Sequence, residues 1–122
     1  MAIPPASLSF AKKRCRPCSG GTPRLSLSQA KIGVKKLDGW QLSKNTLDRD
    51  YVMKDFMAAI QLIGRIAKIA EKENHHPDLF LSSYRKLKVS LSTHSIGGLS
   101  ENDFILAAKI DRLPKSLKIN KI

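Results

Sequence analysis

The 122-residue chain is 42% apolar and 26% charged, which fits one globular domain able to bury its own core without disulfide staples. No apolar run approaches the roughly 18 residues of a membrane-spanning helix, and Met1–Arg14 lacks the continuous apolar stretch of a secretory signal. The net charge of +12 argues for nucleic acid only until it is located: residues 1–37 hold eight Lys/Arg and residues 114–122 three Lys, with no acid in either, so eleven basic residues face all ten acids between them. The middle is near neutral, which speaks against a specific nucleic-acid binder; basic tails attract polyanions without specificity.

Residues 1–24 are rich in Pro, Ser, Gly and basic side chains and read as a flexible basic arm. Their lack of acids also fits the end of an organellar transit peptide, the alternative to a cytoplasmic location. The arm contains Cys15-Arg16-Pro17-Cys18. This is half of a four-ligand zinc site, and Pro17 with Ser19-Gly20-Gly21 makes a loop, not the helix start of a redox motif. A structural or tolerated thiol pair is the first reading; zinc shared with a partner and a reversible disulfide are the alternatives.

A first helix is expected over 26–37. Ser26 and Gln29 have capping-box spacing, and Leu27, Ala30, Val34 and Leu37 form an apolar stripe interrupted by Gly33. Two strands follow at 40–43 and 46–53, joined by Lys44-Asn45. Leu47, Arg49, Tyr51 and Met53 share one face, opposite Asp48 and Asp50. A long helix is expected over 54–73, with Phe56, Ile60, Ile63, Ala67 and Ala70 as its buried stripe. Pro77 stops it. Strands at 78–84 and 86–94 come next, the second burying Leu87, Val89, Leu91 and Thr93 and leaving His94 at its polar end. After the Gly97-Gly98 turn, Ser100 and Asp103 open a last helix with stripe Leu106, Ile110 and Leu113, which Pro114 stops. The order α-β-β-α-β-β-α gives an α+β fold, a four-stranded antiparallel sheet with three helices packed on one face. The folded domain spans 25–113, and 114–122 is a basic tail.

All three histidines lie between residues 71 and 103. Imidazoles titrate near neutral pH and suit proton transfer in both directions. His75 and His76 are neighbours in extended geometry, so they face opposite ways unless the bend at Pro77 rotates them. His94 ends a strand paired with the one after Pro77, which can bring it close. No Ser, Cys or Lys is placed as an activated nucleophile. Plainer readings stand beside this one. Asp103 is explained by helix capping, Glu71 by a helix-face charge and Tyr84 by sheet packing. A three-histidine zinc site is the sharper rival.

The spacing Glu71-x3-His75-His76-Pro77-x6-Tyr84-x9-His94-x8-Asp103 resembles the signature of the pterin-4a-carbinolamine dehydratases. Asp38-Gly39-Trp40, Lys54-Asp55-Phe56 and Thr93-His94-Ser95-Ile96-Gly97-Gly98-Leu99-Ser100 are similar to that family too. Cys15-x-x-Cys18-x-Gly20-Gly21-x-Pro23 resembles the N-terminal loop of many microbial members. The resemblance implies dehydration of 4a-hydroxytetrahydrobiopterin to quinonoid dihydropterin, which recycles the pterin of aromatic amino-acid hydroxylases. It implies His75, His76, His94 and Asp103 as catalytic residues, and Glu71, Pro77, Tyr84 and Thr93 as residues that bind or orient substrate. It implies no metal and no cofactor, since the pterin is the substrate. It further implies a homodimer or homotetramer, while the charge distribution and the lack of a long apolar run point to no specific nucleic-acid partner and no membrane partner. The alternative it carries is a coactivator that binds a partner's dimerisation helix. Many animal members have Trp where this chain has Leu79, so the pterin-facing aromatic is absent or is supplied by Phe80.

Overall fold

Alternating apolar residues and three-to-four-residue apolar spacing divide the chain into strands and helices that share one core. The computed structural model describes Phe10, Lys12, Lys13, Cys15 and residues 23–118. Cys18, Gly20 and Gly21 of the N-terminal loop lie outside the described residues, as do residues 119–122. Helix α1 (Leu27–Lys35) precedes strands β1 (Gln41–Ser43) and β2 (Thr46–Val52). Helix α2 (Phe56–Glu73), strands β3 (Asp78–Ser82) and β4 (Lys86–Leu91), a 3₁₀ turn (His94–Ile96) and helix α3 (Glu101–Asp111) follow. The sheet is antiparallel in the order β1-β2-β4-β3, with the three helices on one face.

Register decides which side chains meet the helices. Leu47 pairs with Leu91, Tyr51 with Leu87, and Leu79 with Val89, so the inward rows are apolar. The outward rows pair Asp48 with Ser90, and Asp50 and Phe80 with Lys88. Leu47, Met53, Leu62, Ile66, Leu87, Val89, Leu91, Phe104, Leu106 and Ile110 are fully buried between the layers. Each such side chain contributes on the order of 1.5–3 kcal/mol.

Helix α3 is the centre of the helical layer. Asn102 through Ala108 and Ile110 are all buried, so it is apolar nearly all round and not striped on one side. Gly33, which weakens α1 as a helix, has its reason here. A Cβ there would lie 2.8 Å from Cε1 of Phe104, so only glycine lets α1 approach α3.

The far end of α3 is fixed by a polar cluster. Asp111 accepts hydrogen bonds from Trp40 Nε1 (2.9 Å), the Tyr51 hydroxyl (2.6 Å) and Arg49 Nη1 (3.3 Å). Lys115 Nζ donates to the carbonyls of Asp111 and Leu113. Burial pushes the Asp111 carboxyl up despite these partners. Burial, and then the neighbouring Asp111, push the Tyr51 phenol well above its ordinary range. Burial lowers the Lys115 ammonium.

Four local expectations are corrected. The buried stripe of α2 is Ala59, Leu62, Ile66 and Ala70, while Phe56, Met57, Ile60 and Ala67 are exposed. The helix carries two apolar stripes, and periodicity alone does not rank them. Leu27 of α1 is likewise exposed. Strand β3 ends at Ser82, because Ser83 and Tyr84 take left-handed backbone (φ 48° and 52°) in the turn. Strand β4 ends at Leu91 and lies inside the sheet, so the open edges are β1 and β3. In the tail, Ser116–Lys118 run beside Val52–Lys54, with backbone bonds Lys54 N to Ser116 O (2.9 Å) and Lys118 N to Val52 O (2.9 Å).

Candidate active site

The site begins where α2 stops. Asn74 caps the helix in the left-handed conformation, φ 51°, and the His75 amide bonds back to the Ala70 carbonyl at 3.1 Å. This turn carries His75 inward against α3. Its Nε2 lies 2.7 Å from Asp103 Oδ1, with the two side chains 5% and 0% exposed. His76 takes the opposite direction, as neighbours in extended chain must. It is 55% exposed, and its Nε2 lies 2.5 Å from Oε2 of Glu71, one turn back on α2. Pro77 between the helix and β3 is half-buried.

The second half comes from the end of β4 and the start of α3. Thr93 is buried, and its amide bonds to the Gly98 carbonyl at 2.8 Å. That bridge closes a small loop holding the 3₁₀ turn. His94 therefore opens a turn instead of ending a strand, and it is exposed. Gly97, at φ 64°, makes the reversal.

Asp103 joins the halves. Its Oδ1 meets His75; its Oδ2 accepts from the Thr93 hydroxyl (2.9 Å) and the Ser100 amide (3.0 Å). Ser100 caps α3 and Asp103 completes a capping box, so helix start and histidine partner are one carboxylate. Its position in the first helical turn also suits its charge. The capping reading and the site reading of Asp103 are thus both present in one side chain.

His75, His76, His94, Glu71, Thr93 and Asp103 are brought together at this end of the molecule. Tyr84 is not. It lies at the opposite end of the β3–β4 hairpin, roughly 20 Å along the strand from Pro77 at about 3.3 Å per residue. Tyr84 is exposed, and its hydroxyl accepts from Arg85 Nη1 at 3.3 Å. Phe80 projects from the outer sheet face and Leu79 packs on the core side. Among the described residues, no group of three or more His, Cys, Asp or Glu is placed to hold a metal ion.

Sequence reasoning passed over Ser100 as a site residue and Glu73 altogether. Ser100 had a signal, its capping-box spacing to Asp103. Glu73 is buried, and its Oε1 accepts from the Cys15 amide at 2.7 Å. Cys15 Sγ lies 3.7 Å from the Asn102 carbonyl, so Cys15 touches both the end of α2 and the start of α3. Phe10 adds a ring contact to Phe104 (6.0 Å), and Lys13 pairs with Glu101 (3.1 Å). Nothing in the sequence pattern linked residues so far apart in the chain.

The family profile for pterin 4 alpha carbinolamine dehydratase matches residues 23–113. Among curated relatives, a protein of Nitrosomonas europaea named for this dehydratase is 43% identical over 105 residues, 85% of this chain and 92% of the relative. The mitochondrial pterin-4-alpha-carbinolamine dehydratase 2 of Arabidopsis thaliana is 42% identical over 109 residues, 85% of this chain and 58% of the relative. The crystal structure of a transcriptional coactivator/pterin dehydratase from Brucella melitensis superimposes with a TM-score of 0.69 at 35% identity, covering 73% of this chain and 96% of that one. The match over most of the folded region and these identities place the chain in the pterin-4a-carbinolamine dehydratase family.

Proposed function

We propose that the protein dehydrates 4a-hydroxytetrahydrobiopterin to quinonoid dihydropterin and water, within tetrahydrobiopterin recycling. The reaction breaks the C4a–O bond, removes a proton from the adjacent ring nitrogen and forms a C=N bond. It needs an acid for the departing hydroxyl and a base for the ring proton, and no redox equivalent. The observation that carries the reading is the division among the histidines. His76, backed by Glu71, and His94 face solvent, while His75 is held in the interior by Asp103. The two exposed imidazoles meet the substrate's leaving hydroxyl and ring proton. His75 and Asp103, paired in the interior, join the end of α2 to the start of α3. The test is turnover of a 4a-hydroxytetrahydropterin by the wild type and by His76→Ala and His94→Ala. Each substitution lowers the rate about 10²-fold or more, the range for losing an acid–base group.

A homo-oligomer accompanies this reading. Phe56, Met57 and Ile60 form an exposed apolar ridge on α2, and β3 is an open sheet edge. Both features call for cover. The same ridge supports the second reading, a coactivator that binds a partner's dimerisation helix; the Brucella relative is described as a transcriptional coactivator as well as a pterin dehydratase. A helical partner competing with self-association, and unaffected by histidine substitution, distinguishes the two.

A further inference from the structure

Four buried groups behind His75 form a chain with only one consistent set of proton positions. The Asn102 backbone N–H donates to Ser100 Oγ at 3.2 Å. Ser100 Oγ lies 2.8 Å from Thr93 Oγ1, and Thr93 Oγ1 lies 2.9 Å from Asp103 Oδ2. Each hydroxyl has one proton to give, and the Thr93 hydroxyl donates to Asp103 Oδ2. Thr93 therefore gives its proton to Asp103 and accepts the one from Ser100. The Ser100 amide donates to the same Oδ2 at 3.0 Å. With Oδ2 taking two donors, Oδ1 faces His75 Nε2 at 2.7 Å.

We propose that Thr93 and Ser100 are positioning residues whose donors occupy Asp103 Oδ2, hold Oδ1 on His75 Nε2 and so fix His75 as its Nε2–H tautomer. The two hydroxyls reach no substrate; they act through the carboxylate. His75 then keeps its lone pair on Nδ1 whenever it is neutral, and the ring cannot exchange its donor and acceptor edges. Thr93 has a second effect. Its own amide is tied to Gly98, and His94 follows it directly in the chain. One residue thereby sets the proton on His75 and the backbone from which His94 projects. Partners behind metal-ligating histidines affect affinity or activity by about 10–100-fold, and an effect at the low end of that range is expected here.

The inference rests on the dehydratase reading for its rate effect, and not for its tautomer assignment. The experiment is nitrogen-15 NMR of the histidine rings in full-length protein, paired with steady-state dehydration kinetics. Wild type shows His75 protonated at Nε2. Asp103→Asn puts an amide NH₂ toward the ring, because the Ser100 amide still needs the oxygen, and inverts His75 to Nδ1–H. In a serine-protease triad the same exchange leaves geometry intact and costs about 10⁴ in kcat through the wrong tautomer. Thr93→Val keeps the side-chain shape, mixes the two tautomers and lowers kcat about 10-fold with KM unchanged; Thr93→Ser restores both. Ser100→Gly is the companion variant, since glycine at a helix N-cap costs only a few tenths of a kcal/mol against serine. An unchanged Nε2–H signature in both Thr93→Val and Ser100→Gly overturns the proposal. Wild-type protein that holds the Nε2–H tautomer but does not speed dehydration instead overturns the functional reading and leaves the relay standing.

Discussion

Asp103 Oδ1 lies 2.7 Å from His75 Nε2, and neither side chain sees appreciable solvent. A charge-assisted bond of this kind holds only while both partners remain. Removing the imidazole leaves a buried carboxylate short of a donor, a loss on the order of 1–3 kcal/mol. His75→Ala is therefore expected to lower both activity and stability. His76→Ala and His94→Ala remove exposed rings and should lower activity alone. Chemical denaturation of the three variants beside their rates checks this. Equal stability losses in all three would contradict the inward and outward assignment.

The cluster at the other end of α3 gives a pH dependence. Tyr51 keeps its proton in the folded state at pH values where an exposed phenol, with a pKa of 10.0, gives it up. Above pH 10 the unfolded chain thus binds fewer protons than the native one, and stability falls as pH rises. Asp111 is also raised, so its contribution is full below the ordinary carboxylate value and declines as pH climbs through the raised one. Lys115 is lowered, and its contribution runs the other way. Tyr51→Phe removes the phenol alone. Urea midpoints between pH 8 and pH 11 should fall more steeply in wild type than in Tyr51→Phe. At neutral pH the variant should be less stable by about 1.5–3 kcal/mol, the worth of a hydrogen bond to a charged group.

Glycine to alanine inside a helix usually stabilises by roughly 0.5–1 kcal/mol. Gly33→Ala should do the reverse. Its Cβ would stand 2.8 Å from the Phe104 ring, and the cost of overpacking is typically about 1–3 kcal/mol. Thermal unfolding of the single variant tests it; a rise in melting temperature would refute the close approach of α1 and α3.

The α2 ridge yields a prediction about assembly. Phe56→Glu with Ile60→Glu places charges on exposed positions, so the monomer should keep its fold. Light scattering should then show a smaller species than wild type. An unchanged mass would move the interface elsewhere.

Much of this was legible in the sequence. The strands were readable because Leu47, Leu87, Val89 and Leu91 alternate with polar residues and one sheet face is buried. Both capping boxes were readable because they are local. The faces of α2 were not. Its two apolar stripes look alike in one dimension, and only the packing of Leu62 and Ile66 decides between them. At the site, spacing gathered the histidines but could not sort them. That His75 turns in and His76 turns out depends on the left-handed Asn74 cap. The role of Ser100 was hidden behind its ordinary duty as a cap. Glu73 and Cys15 meet across 58 residues, beyond any local pattern.

We propose that exposed His76 and His94 carry out dehydration while His75 and Asp103 stay paired in the interior. The direct measurement follows a freshly generated 4a-hydroxytetrahydropterin through its conversion to quinonoid dihydropterin, with and without the purified protein. The account predicts conversion faster than the spontaneous reaction and a return to the spontaneous rate in His76→Ala/His94→Ala. Conversion at the spontaneous rate with wild-type protein, or full acceleration by the double variant, would contradict it.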